Sequence, residues 1–142
     1  MSQENVQAAQ AQYERWNARD VEAWIAGFHP DVEFVSSTTA AVYGQGKFHG
    51  REGMRDFAAQ FDEVWDSFRC EPLEHISVGD HVVTVLREIG CGRGSGVTVE
   101  EELAHIWTFR DGLAIRHENY PTREAALEAV GLSEQDVHAD SS

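Results

Sequence analysis

Apolar residues recur at helical spacing from the start of the chain. Val6, Ala9, Tyr13 and Trp16 mark one face of a helix from about Glu4 to about Ala18. Asp20 is a good N-cap for a second helix, with Val21, Trp24, Ile25 and Phe28 as its apolar face and Pro30 as its stop. Val32 to Ser36 is β-branched and aromatic and reads as a short strand. Ala40 to Gly50 has glycines and no period, so a loop with a short strand at its end is expected. Gly50 to Phe68 is the strongest helical pattern, carried by Met54, Phe57, Ala58, Phe61, Val64, Trp65 and Phe68.

The pattern then becomes strand-like. Arg69 to Val78 and His81 to Cys91 read as strands joined by a two-residue turn, Gly79-Asp80. Val97 to Phe109 and Leu113 to Tyr120 follow, separated by Arg110-Asp111-Gly112. Pro121 ends the last strand, Thr122 caps a short helix over Arg123 to Val130, and Gly131 closes it. Helices first and hairpin strands later predict an α+β domain with a mostly antiparallel sheet, spanning residues 1–132. The acidic stretch 133–142 has little to pack with and is expected to fray. A long helix on a curved sheet leaves a concave space, the default pocket.

Composition narrows the function. The chain has 142 residues, 42% hydrophobic and 10% aromatic, ordinary for one globular domain. Lys plus Arg is 11 against 25 Asp plus Glu, a net charge of −14. Such a surface repels phosphate backbones and anionic lipid, so neither nucleic acid nor membrane is an expected partner. No apolar run approaches the ~20 residues of a membrane span, and the polar N-terminus shows no secretory signal. Cys70 and Cys91 make no disulfide framework, so a reduced, cytoplasmic protein is expected.

Candidate chemistry centres on the last two strands. With a three-residue loop at Arg110-Asp111-Gly112, Phe109 pairs with Leu113, His105 with His117, and Leu103 with Asn119. The bulkier face then carries Glu101, Leu103, His105, Trp107 and Phe109 with Leu113, Ile115, His117 and Asn119, and is expected to line the cavity. The other face leaves Ala104, Ile106, Ala114 and Tyr120 as apolar area on an acidic surface, which points to a homodimer. An unperturbed histidine titrates near pH 6.5 and suits acid–base work. The plainer reading of His105 is a buried histidine satisfied by an acceptor such as Asn119. Arg87 supplies a positive charge if its face is the inner one; the plainer reading is a cross-strand ion pair with Glu74. The aromatic residues Trp16, Phe34, Phe57, Phe61, Trp65 and Trp107 are core first and pocket lining second. Gly90 to Gly96 precedes a strand and no lysine or helix start follows it, so a hairpin at the pocket rim is expected rather than a phosphate cradle. The histidine spacings suit no metal site.

The segments Tyr13–Asp20, Phe28–Phe34, Gly50–Gly53 and Ala104–Gly112 resemble SnoaL-like domains of the nuclear-transport-factor-2-like superfamily, over roughly Glu4 to Leu132. That resemblance implies a cone: a strongly curved sheet wrapped around a long helix, with N-terminal helices closing an apolar cavity and sheet-mediated dimers. His105 is similar to a pocket histidine of the polyketide-cyclase branch and matches a carboxylic acid of the ketosteroid-isomerase branch. Asn119 falls where cyclases and limonene-epoxide hydrolases carry an acid/base aspartate. Ser36 falls at the isomerase base, and Gln12, beside Tyr13, at its oxyanion tyrosine. The hydrolase Arg-x-Asp motif is missing, since Arg87 and Glu88 are adjacent. Two readings follow. One is a cofactor-independent isomerase, cyclase or hydrolase of a small hydrophobic molecule. In it His105 and Asn119 are the catalytic candidates, and Tyr13, Trp16, Phe34, Ser36, Phe57, Phe61, Trp65, Arg87, Trp107 and His117 hold the substrate. The other is a non-catalytic dimeric ligand-binding or interaction module. A second titratable group facing His105 distinguishes them, with Glu101, His117 and Arg87 as candidates.

Overall fold

The computed structural model describes residues 2–36 and 46–132, so most of the expected loop and the C-terminal acidic stretch lie outside the described residues. Helix α1 spans Ser2–Asn17. Helix α2, Val21–Ala26, is capped as expected: the Asp20 carboxylate accepts from the Ala23 amide. It ends at Gly27, before Pro30, and Phe28 already opens strand β1, Phe28–Val35. Pro30 therefore sits inside a strand. It has no N–H to give a ladder, and the β1 pairing shifts register between Phe28 and Glu33, around it. The short strand expected at the end of the loop is β2, Lys47–His49.

Helix α3, Gly50–Val64, runs directly into β3, Trp65–Val78. The helical pattern extends to Phe68, but Trp65 and Phe68 have another use. They pack over Gly90 of β4, His81–Gly92, and a Cβ built on Gly90 lies 2.8 Å from both rings. The glycine-rich turn after β4 is tied to α3. Arg93 donates its amide to the Val64 carbonyl at 2.7 Å and its guanidinium to the carbonyls of Asp62 and Trp65 at 3.0 and 3.2 Å. A cation thus serves the free carbonyls of a helix C-terminus.

Strand β5 spans Thr98–Arg110, β6 Leu113–Tyr120, and α4 Arg123–Ala129, capped by Thr122. The six-stranded sheet has the order β2-β1-β6-β5-β4-β3 and is curved and unclosed. Every pairing is antiparallel except β1 with β6. The aromatic core fills the concave side, under α1, α2 and α3. Asn17 fixes α1 against β3 by bonding both sides of Cys70: its amide donates to the Cys70 carbonyl at 2.7 Å and its oxygen accepts from the Cys70 amide at 2.9 Å.

Two expectations about the last strands are corrected. The turn is Asp111-Gly112 alone, both at positive φ (54° and 78°), so Arg110 pairs with Leu113. A bulge then makes Ile115 the extra residue, because Phe109 pairs with Ala114 but Thr108 with Arg116. Each departure shifts the register by one. Together they place Asn119 opposite His105 and His117 opposite Trp107, and they restore the expected face for both. The second correction concerns the convex face. Ala104 and Ile106 are covered within the chain, in a small core with Val83, Ala126 and Leu127 under α4. Ala114 points into the main core. The apolar area that motivated a homodimer is therefore largely occupied by the chain's own last helix.

Gly90→Ala should push two rings out of place and cost about 1–3 kcal/mol of stability, as overpacking does. Urea unfolding with an unchanged m-value and a lower midpoint is the expected result.

Candidate functional site

Side chains of the first three helices and of five strands converge on a space of about 50 Å³ at the concave face. Helix α1 contributes Gln12, Tyr13 and Trp16, α2 Trp24, and α3 Phe57 and Phe61. The sheet contributes Phe34 with Ser36 just beyond it, Phe68 and Cys70, Glu88, His105 and Trp107, and His117 and Asn119. Among the expected pocket residues, His105, Asn119, Tyr13, Trp16, Phe34, Ser36, Phe57, Phe61, Trp107 and His117 meet here.

Trp65 and Arg87 do not. Trp65 packs on Phe61 and Phe68 outside the cavity. Arg87 lies on the opposite face of β4 and reaches Glu100 at 3.4 Å and Glu71 at 3.9 Å. Its suggested partner Glu74 is held instead by Arg123 at 2.8 Å. Among the described residues, no lysine or arginine lines the cavity.

With Arg87 turned outward, Glu88 turns inward, and it is the residue the sequence reading passed over. Its Oε2 lies 3.8 Å from His105 Nε2 and 4.0 Å from the Cys70 sulfur. Glu88 pairs across the ladder with Glu101, four residues from His105. In a flat sheet that offset is about 13 Å. The curvature of the sheet brings the two side chains together, and no local sequence pattern encodes it. Strand β4 also lacks a polar–apolar alternation, because helices cover both of its faces.

Hydrogen bonds set the tautomers. Trp107 Nε1–H donates to Tyr13 Oη at 2.9 Å, and an indole cannot accept in return. Tyr13's own hydrogen then goes to His105 Nδ1, 2.6 Å away. Tyr13, not Asn119, thus orients His105 and leaves the hydrogen on Nε2. One ring nitrogen of His117 donates to the Val35 carbonyl. The His117 ring stacks on Phe34 with centroids 4.2 Å apart and lies edge-on to His105 at 4.3 Å. His105 Nε2, His117 Nδ1 and Asn119 Oδ1 are all buried without a hydrogen-bond partner. Each such atom costs about 1–3 kcal/mol, so their gathering in one cavity marks a binding site.

Burial pushes His105 down to about 3 and His117 well below its ordinary value, the latter helped by His105. Burial, and then the charge of Glu101 at the rim, raises Glu88 to about 7. The site at neutral pH therefore holds two neutral imidazoles and a carboxyl poised between acid and base.

The profile of the SnoaL-like domain family matches residues 9–117. The crystal structure of TerC co-crystallised with polyporic acid shares 34% identity, covers 89% of this chain and 98% of that one, and superposes with a TM-score of 0.75. An NTF2-like protein of unknown function from Burkholderia pseudomallei shares 22% identity over 90% and 98% of the two chains, with a TM-score of 0.76. A SnoaL-like polyketide cyclase, so described, from Jannaschia sp. CCS1 shares 21% identity over 91% and 92%, with a TM-score of 0.71. Among curated proteins, none matches the chain significantly.

The two perturbed groups act on stability with opposite signs. Between 4.5 and about 7 folded Glu88 keeps a proton that the unfolded chain has lost, so its contribution is full below 4.5 and disappears as pH rises through 7. Between 6.5 and about 3 the unfolded chain holds the extra proton on His105, so that contribution is lost as pH falls. Glu88→Gln should therefore gain stability relative to wild type as pH rises from 4.5 to 7, by about 3 kcal/mol at the plateau. Urea midpoints across that range check it; a pH-independent difference would contradict the raised Glu88 value.

Proposed function

The chain belongs to the SnoaL-like domain family of the nuclear-transport-factor-2-like superfamily, and from that premise we propose that it moves a proton on a small oxygenated organic molecule without a cofactor. The observation that carries this reading is Glu88, a largely covered carboxyl 3.8 Å from the unpartnered Nε2 of His105. His117 also faces His105 but burial holds it neutral, whereas Glu88 adds a carboxyl that can give and take a proton, which an enzyme needs and a ligand-holding module does not.

Each group has a role in this reading. Glu88 takes a proton from the carbon beside a carbonyl as that C–H bond breaks. The electron pair moves onto the carbonyl oxygen, which accepts a hydrogen bond from His105 Nε2–H. Glu88 then returns the proton to another atom of the same molecule, completing an isomerisation or preparing a ring closure. A neutral imidazole held by Tyr13 and Trp107 suits the donor role, because it stays uncharged through the step. Aromatic walls exclude water and strengthen both interactions. The polyporic acid co-crystallised with TerC supports a small organic ligand for this cavity.

A thermal-shift screen of steroids, terpenoids, polyketide-like ketones and polyporic acid would find the binders. Proton NMR in deuterated water then follows exchange beside the carbonyl of an enolisable binder. Glu88→Gln should keep binding and slow exchange by about 10²–10⁴-fold. The wild-type rate should rise with pH through about 7, where Glu88 becomes a base. Exchange as fast in Glu88→Gln as in wild type would leave only the ligand-holding reading.

A further inference from the structure

We propose that the polar end of the cavity recognises an uncharged hydroxyketone group, with His105 reading the carbonyl oxygen and His117 and Asn119 reading the neighbouring hydroxyl. The inference rests on the site of the proton-transfer reading and names its ligand class, but it does not require turnover.

Among the described residues, His105 Nε2, His117 Nδ1 and Asn119 Oδ1 are the buried polar atoms of the cavity left without a partner, and each dictates what a ligand must bring. His105 offers one donor, Nε2–H, because Tyr13 occupies Nδ1. His117 offers one acceptor, Nδ1, because its other nitrogen is committed to Val35. Asn119 offers a second acceptor, Oδ1. A simple ketone satisfies the donor and leaves both acceptors buried and unpaired. A carboxylate is worse. It brings acceptor oxygens against acceptors, beside Glu88, and no lysine or arginine lines the cavity among the described residues. A hydroxyl next to a carbonyl presents a hydrogen to the acceptors and an oxygen to His105.

Placement agrees with the count. His105 and Asn119 are direct cross-strand partners, and His117 faces His105 with ring centroids 4.3 Å apart. One side of the head group thus meets the donor and the other meets the acceptors. Size agrees as well. The space is about 50 Å³, against the ~150 Å³ of a cavity that holds benzene. It suits a few heavy atoms of a head group, with the rest of the ligand displacing or sliding along Phe34 and Phe57.

Calorimetric titration at pH 7.5 with 2-hydroxyacetophenone, acetophenone and benzoate tests the idea. The hydroxyketone should bind at least fivefold tighter than acetophenone, and benzoate at least tenfold weaker than either. Asn119→Leu should cut the ratio of the two ketone affinities towards one, and His117→Phe, which keeps the stack on Phe34, should do the same if the first variant folds poorly. Glu88→Gln should keep the preference for the hydroxyketone over acetophenone. Equal binding of the two ketones, benzoate binding as well as the hydroxyketone, an unchanged ratio in both variants, or no binding of any probe would each overturn the proposal. The ranking without proton exchange would fail the proton-transfer reading alone; exchange without the ranking would fail this inference alone.

Discussion

The phenol of Tyr13 is the contact on which the site depends. It is buried, it accepts from Trp107, and it donates to His105. That one oxygen joins the first helix to strand β5 and fixes which nitrogen of His105 carries hydrogen. Without it the His105 ring has no tautomer preference and its Nε2 no defined role towards Glu88. The position of Tyr13 depends in turn on the seating of α1, which Asn17 secures at the far end through Cys70. A phenol in this place also resists ionisation, since burial raises it well above 10. It remains a hydrogen-bond relay and not a competing acid.

The same burial that shapes the cavity makes it costly. Two imidazoles and a carboxyl are stripped of water by Trp16, Trp24, Phe34, Phe57 and Phe61 and driven towards their neutral forms. Three polar atoms stay unpaired. Hydrophobic contact on both sides of β4 and β5 compensates, with the aromatic core on one face and the α4 cluster on the other. Strands packed on both faces cannot tilt to relieve the unpaired atoms. A ligand can relieve them, and this gives binding its driving force.

The order of elements was readable because amphipathic period, caps and turns are local. So was the face shared by His105, Trp107, His117 and Asn119, because parity survives the paired errors of turn length and bulge. The residues misplaced are those decided by tertiary geometry. Trp65 and Phe68 keep a helical spacing, yet the gap at Gly90 recruits them into a strand. Arg87 and Glu88 are adjacent and must face opposite ways, and the structure turns Glu88 inward. The choice between them needed the curvature of the sheet, which local pattern does not encode. The sequence suggests Asn119 as the acceptor for His105. It is its neighbour, but the shorter bond comes from Tyr13, 92 residues away in sequence.

Charge separates the surface from the site. The chain carries −14, and that field repels anions at long range. At physiological salt it is screened beyond about 8 Å, so it affects encounter more than final affinity. Discrimination at close range falls to the cavity, where no basic side chain is present among the described residues. Burial first, and then the charge of Glu101, its exposed partner across the ladder, raise the inner carboxyl. An anion in the cavity would meet a carboxyl at its own titration point and two lone pairs. A neutral molecule would meet one donor, two acceptors and aromatic walls. The arrangement therefore favours the neutral molecule at each step inward, and the carboxyl that repels anions is the group placed to take its proton.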